Sequence, residues 1–97
     1  MLTDYKQVEA KIYNDTHWVN ECTPIVLKET YEDLLIKSGF TIISFNEHHF
    51  DKQGYTCFWL LAESHLAIHT FPESNKTYVE LSSCNQEKLE HFKNFIK

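Results

Sequence analysis

The chain has 97 residues, a net charge of −5, and a composition of 42% hydrophobic, 24% charged and 14% aromatic side chains. One domain spanning residues 1–97 is expected, with roughly 60–68% of its unfolded surface buried, so the core is small or is completed by a partner. The nine Lys and Arg residues are scattered, which argues against nucleic acid and anionic membrane. No apolar run approaches the roughly 20 residues of a membrane span, and Met1 to Lys6 lacks a signal pattern, so a cytoplasmic location is expected.

In chain order, Gln7 to Tyr13 alternate apolar and polar side chains, which predicts a first strand. Asn14-Asp15-Thr16 reads as a turn, and His17 to Cys22 shows no clear period. Thr23-Pro24 opens a helix, with Thr as cap and Pro at the first position. Leu27, Tyr31, Leu34 and Leu35 recur at helical spacing, and Gly39 is the expected left-handed terminator. Phe40 to Phe50 and Tyr55 to Leu61 predict two antiparallel strands around an Asp51–Gly54 turn, the second buried on both faces. Leu66 to Thr70 and Tyr78 to Ser83 predict two more strands. Asn85 caps a last helix with Leu89, Phe92 and Ile96 on one face. This order predicts an α+β fold: an antiparallel sheet with two helices on one face. The other face would meet water or a second copy. Cys22, Cys57 and Cys84 are odd in number and widely spaced, which fits free thiols better than a disulfide framework or zinc ribbon.

Chemistry-bearing residues crowd into Glu63-Ser64-His65-Leu66-Ala67-Ile68-His69-Thr70-Phe71-Pro72-Glu73, with Cys84 downstream. On an extended strand His65, Ala67 and His69 point one way and Leu66, Ile68 and Thr70 the other. With Leu66, Ile68, Val79 and Leu81 under the helices, His69 and Cys84 fall on the opposite face. Ser64 and His69 differ in parity, so their cooperation requires the backbone to turn or bulge at Glu63-Ser64. His65 and His69 are four apart, a two-ligand metal spacing on a helix; on a strand they would be roughly 13 Å apart, and no metal is expected. A serine at a distorted peptide bond can attack the preceding carbonyl, with a histidine serving as base near neutral pH. The product of such self-cleavage is a pyruvoyl group, a Schiff-base-forming electron sink. Spacing alone does not select this chemistry from its rivals.

The run Glu63 to Glu73, followed by Tyr78-Val79-Glu80-Leu81-Ser82-Ser83-Cys84, resembles the prokaryotic S-adenosylmethionine decarboxylases, whose signature is E-S-H-x-x-I-H-T-W-P-E and then a strand ending in Thr-Cys-Gly. Ser38-Gly39-Phe40-Thr41-Ile42 and His48-His49-Phe50 also fall in register. The resemblance implies cleavage between Glu63 and Ser64, with Ser64 becoming the pyruvoyl cofactor. It implies His69 as proton acceptor in processing, Cys84 as proton donor in decarboxylation and Thr56 as a processing support. It implies Phe50 against the adenine and Glu73 on the ribose of S-adenosylmethionine, in a route to spermidine. It also implies a homodimer or larger assembly, two sheets face to face in an αββα sandwich. The sequence departs from the family at Tyr5-Lys6-Gln7, where a Gly-x-His element is usual, and at Phe71, Glu80 and Asn85. It ends after the last predicted helix, where the family generally adds a strand. The alternatives are a pyruvoyl-dependent arginine or ornithine decarboxylase, and an unprocessed binding or regulatory homologue.

Overall fold

Residues 42–83 run as an antiparallel meander whose tight turns leave each strand beside the next. In the computed structural model, which describes residues 11–96, the elements are β1 (Tyr13–Val19), α1 (Pro24–Lys37), β2 (Ile42–His49), β3 (Tyr55–Leu61), β4 (Ser64–Phe71), a 3₁₀ turn (Pro72–Ser74), β5 (Lys76–Ser83) and α2 (Gln86–Phe95). The sheet order is β1-β5-β4-β3-β2 and every pairing is antiparallel.

Both helices pack on one face. Leu27, Tyr31 and Leu35 of α1 and Leu89 and Phe92 of α2 are buried against Cys57, Trp59, Leu66, Ile68, Val79 and Leu81. Each fully buried Leu, Ile or Phe contributes roughly 1.5–3 kcal/mol, so this one layer carries most of the burial energy. Pro24 occupies the first turn of α1 as expected, but the Thr23 side chain does not cap it. Instead the Glu21 carboxylate accepts the Thr23 N–H at 2.9 Å, and this bond holds the Glu21 pKa below the usual carboxylate value. Gly39 ends the helix at φ +97°. Asn85 caps α2 by accepting the Lys88 N–H at 3.0 Å.

Further corrections concern two strands, β1 and β3. Among the described residues the first strand is Tyr13–Val19; of the expected strand over residues 7–13, positions 7–10 lie outside the described residues and residues 11 and 12 are not in the strand. Asn14-Asp15-Thr16 is strand rather than turn because β1 pairs residue for residue with β5. Its inward positions include Asp15 and His17, polar groups where a strand under helices usually places apolar ones. The inward polar groups satisfy one another. The Tyr31 hydroxyl donates to His17 Nε2 and His17 Nδ1 donates to Asp15, both at 3.0 Å. Burial, with the Asp15 charge adding to it, pushes the Tyr31 hydroxyl up to about 12, so it keeps its proton. Second, β3 is not buried on both faces. Tyr55, Cys57, Trp59 and Leu61 are buried, whereas Phe58 and Leu60 are 37% and 45% exposed. Those two belong to a sheet face that carries no helix.

The ladder places rows of side chains across that open face. Trp18, Tyr78, His69, Thr56 and His48 form one row, and Asn14, Ser82, His65, Leu60 and Ser44 another. Among the described residues, no helix is long and apolar enough to cross a membrane.

Candidate active site

The site residues fall into two groups at opposite ends of the sheet. The first surrounds the turn between β3 and β4. Leu61 pairs with Ser64, so Ala62-Glu63 alone make the connection. Glu63 is left-handed at φ +61°, a conformation that costs a non-glycine residue roughly 1–2 kcal/mol. The Glu63 carbonyl accepts the Cys84 N–H at 3.3 Å. Ser64 pairs with Ser83 across the ladder, and its hydroxyl donates to Ser83 Oγ at 2.7 Å. Both serines are buried, and both side chains lie on the helix side of the sheet. Cys84, one residue past β5, is exposed. Its environment is the reverse of that of Cys57, whose thiol burial pushes up to about 12.

The second group lies on the open face at the other end. His69 and Thr56 are ladder partners, and His69 Nδ1 sits 3.0 Å from Thr56 Oγ1. Phe50 is exposed, its ring edge-on to His48 at a centroid distance of 4.6 Å, beside the Gly54 turn. Glu73 is exposed in the 3₁₀ turn that follows β4. Trp18 stands in the same row as His69, with Tyr78 at 5.2 Å and Phe71 at 6.0 Å between ring centroids.

The two groups do not meet within one chain. His69 is five residues along β4 from Ser64, roughly 17 Å of strand, and on the opposite face. Cys84 is six residues along from Tyr78, the ladder partner of His69, roughly 20 Å away. The turn at Glu63 exists, as cooperation between Ser64 and His69 required, but it does not deliver one to the other. The inward packing of Leu66, Ile68, Val79 and Leu81 follows the parity argument; sharing a face does not make residues neighbours. His65 and His69 are both on extended strand, which sets them roughly 13 Å apart.

Comparison with known proteins decides the family. The family model described as S-adenosylmethionine decarboxylase matches residues 1–97. The chain belongs to the S-adenosylmethionine decarboxylase family. It is 36% identical over 63 residues to the S-adenosylmethionine decarboxylase proenzyme of Prochlorococcus marinus (strain MIT 9313), covering 65% of this chain and 50% of that one. It is 36% identical over 74 residues to the proenzyme of Thermodesulfovibrio yellowstonii, covering 70% and 55%. The chain thus spans about half the length of the curated relatives it matches. The crystal structure of the adenosylmethionine decarboxylase from Aquifex aeolicus VF5 superposes with a TM-score of 0.76 at 22% identity, over 92% of this chain and 79% of that one. The sheet with two helices on one face is therefore this family's fold.

Sequence reasoning missed Ser83. The Ser82-Ser83-Cys84 run was visible, but only the β4–β5 register identifies which serine stands opposite Ser64. It also missed the Asp15–His17–Tyr31 chain, which borders a cavity of about 560 Å³ on the helix side, away from the Ala62-Glu63 turn.

Proposed function

We propose that the protein is a self-processing proenzyme that cuts its chain between Glu63 and Ser64 and then decarboxylates S-adenosylmethionine. The observation that carries this reading is the state of the Glu63–Ser64 link. Its carbonyl belongs to a left-handed residue and is held by the Cys84 N–H, while the attacking hydroxyl sits on the adjoining residue. The N–H that polarises the carbonyl in the intact chain also faces the negative charge that develops on it during attack. The names of the matched relatives, which call them proenzymes, support the same reading.

Ser64 Oγ adds to the Glu63 carbonyl carbon, the C–N bond breaks, and the hydroxyl proton passes to the Ser64 nitrogen, leaving an ester. Removal of the Ser64 α-proton expels the Glu63 carboxylate as the new end of the upstream fragment. Hydrolysis of the resulting dehydroalanine releases ammonia and leaves a pyruvoyl group at residue 64. The surroundings fit such a group: the position is mostly closed to water, has a hydroxyl partner in Ser83, and has the exposed Cys84 one residue past that ladder partner. When formed, the pyruvoyl group supplies an electrophilic carbonyl for the substrate amine and a sink for the electrons released with carbon dioxide.

His69 takes the α-proton. With Nδ1 donating to Thr56, Nε2 is free to accept. Because it is roughly 17 Å from Ser64 in its own chain, the histidine that serves each serine comes from a second subunit. Two copies packed open face to open face, with β4 antiparallel across the contact, place the His69 end of one over the Ser64 end of the other. The two-fold contact buries Trp18, Phe58, Leu60 and Phe71, which are 37–57% exposed in the single chain. Phe50 and Glu73 share the His69 end, so the partner also supplies the adenine platform and the ribose carboxylate. Cys84 donates the proton that completes decarboxylation.

Denaturing intact-mass measurement tests the reading. The wild-type chain gives two fragments, the downstream one reactive to a carbonyl reagent, and Ser64→Ala gives one. Carbon dioxide release with S-adenosylmethionine, arginine and ornithine then assigns the substrate. A wild-type chain that stays whole and unlabelled overturns the proposal.

A further inference from the structure

We infer that Ser83 is the positioning residue of the self-cleavage step, the group that holds the Ser64 hydroxyl ready for attack; this rests on the processing reading above. The last residue of β5 and the one after it hold the two groups that must react, the hydroxyl and the carbonyl. The Ser83 side chain holds Ser64 Oγ at 2.7 Å, and the Cys84 N–H holds the Glu63 carbonyl oxygen at 3.3 Å. Ser83 is itself fixed from three directions. It pairs with Ser64 through the ladder, its oxygen accepts the Asn85 N–H at 2.9 Å, and its own hydroxyl donates to the Asn85 carbonyl at 3.2 Å. Its proton is therefore directed away from Ser64, which leaves its oxygen as acceptor for the nucleophile. Ser83 is fully buried, so water does not compete for that contact, and a displaced partner would not be replaced cheaply.

The consequence is confined to one step: formation of the Oγ–C bond, loss of the C–N bond and transfer of the hydroxyl proton to nitrogen. Ser83 takes no part in the later elimination, which belongs to His69. A Thr/Val pair at residue 83 separates hydroxyl from shape, since the two side chains are nearly isosteric and both favour strands. Ser83→Thr should process within about threefold of wild type. Ser83→Val should process at least about tenfold more slowly, equivalent to roughly 1.4 kcal/mol of barrier.

The step is read with hydroxylamine, which cleaves the ester but not the amide. In a His69→Ala background, where the later base is missing, the ester accumulates and hydroxylamine splits the chain. Adding Ser83→Val should slow that accumulation at least about tenfold in a chain that still melts cooperatively, although loss of the acceptor for the Asn85 N–H lowers the transition; a merely structural role would lower the melting temperature without slowing ester formation. Equal processing of the Thr and Val variants, or undiminished ester in the double variant, overturns the assignment to Ser83 alone. A wild-type chain that never cleaves, with no ester in His69→Ala, overturns the processing reading itself.

Discussion

Two inactive chains should restore each other. Ser64→Ala lacks the nucleophile but keeps His69; His69→Ala keeps the nucleophile but lacks the base. Within one chain the two positions are five strand residues apart, roughly 17 Å at about 3.4 Å per residue, whereas direct proton transfer requires approach to about 2.6–3.2 Å. No side-chain rotation closes that gap, so the base should come from another chain, and each variant alone, lacking one of the two groups in every subunit, should stay unprocessed. When the two are unfolded together in equal amounts and refolded, random pairing places about half the His69→Ala chains opposite a Ser64→Ala chain. Each such pair contains one complete site, in which Ser64 of one subunit meets the partner's His69. Intact-mass measurement should then show cleavage of up to about half of the His69→Ala chains and none of the Ser64→Ala chains. No cleavage in the mixture, with wild type processing normally after the same refolding, would refute the two-chain site. So would efficient cleavage of His69→Ala by itself.

Three further outcomes follow from the same geometry. Glu63→Gly, made in a Ser64→Ala background so that the chain stays whole, should raise stability to urea by about 1 kcal/mol, because glycine removes the left-handed penalty carried at φ +61°; an unchanged midpoint would show that the turn is unstrained. Leu60→Asp puts a charge in the middle of the open face without touching the helix side, and should give a folded monomer by sedimentation that fails to process. Alkylation of the folded chain at pH 8 should modify the exposed Cys84 and spare Cys57, since burial pushes that thiol up to about 12 and leaves almost no thiolate at pH 8; denaturant should expose Cys57 to the reagent.

The elements that sequence reasoning recovered are those whose burial follows a period. The helix over residues 24–37 shows its apolar stripe and its glycine stop, and β4 and the first part of β5 alternate because one face meets the helices. β1 was misplaced because its inward positions are polar and paired. Asp15 and His17 satisfy each other and Tyr31, an arrangement that tertiary contact creates and that no local pattern announces. β3 was read as buried on both faces for the opposite reason. Phe58 and Leu60 are as apolar as core residues yet stand on the open face, where a second subunit would cover them.

The site shows a different limit. Parity along a strand tells which face a residue occupies, and it placed Leu66, Ile68 and His69 correctly. It carries no information about which end of the sheet a residue must act from, or on whose chain. The spacing of Ser64 and His69 was read as a demand for local distortion that would bring the two together. The distortion is present at Glu63, but it is a hairpin, and a hairpin sends β4 away from the turn at about 3.4 Å per residue. Five residues on one strand cannot be folded back without breaking ladder pairs on both sides, because β4 is central and is hydrogen-bonded to β3 and β5 along its length. The same rigidity that forbids the contact within a chain makes it reproducible between chains. In the proposed dimer, two stiff sheets related by a two-fold axis would bring opposite ends together at two equivalent places, each receiving the strained peptide from one copy and the histidine with its threonine from the other. A symmetric pair of half-sites would keep every ladder bond, with the histidine approaching the Ser64 backbone from the face opposite the Ser64 hydroxyl.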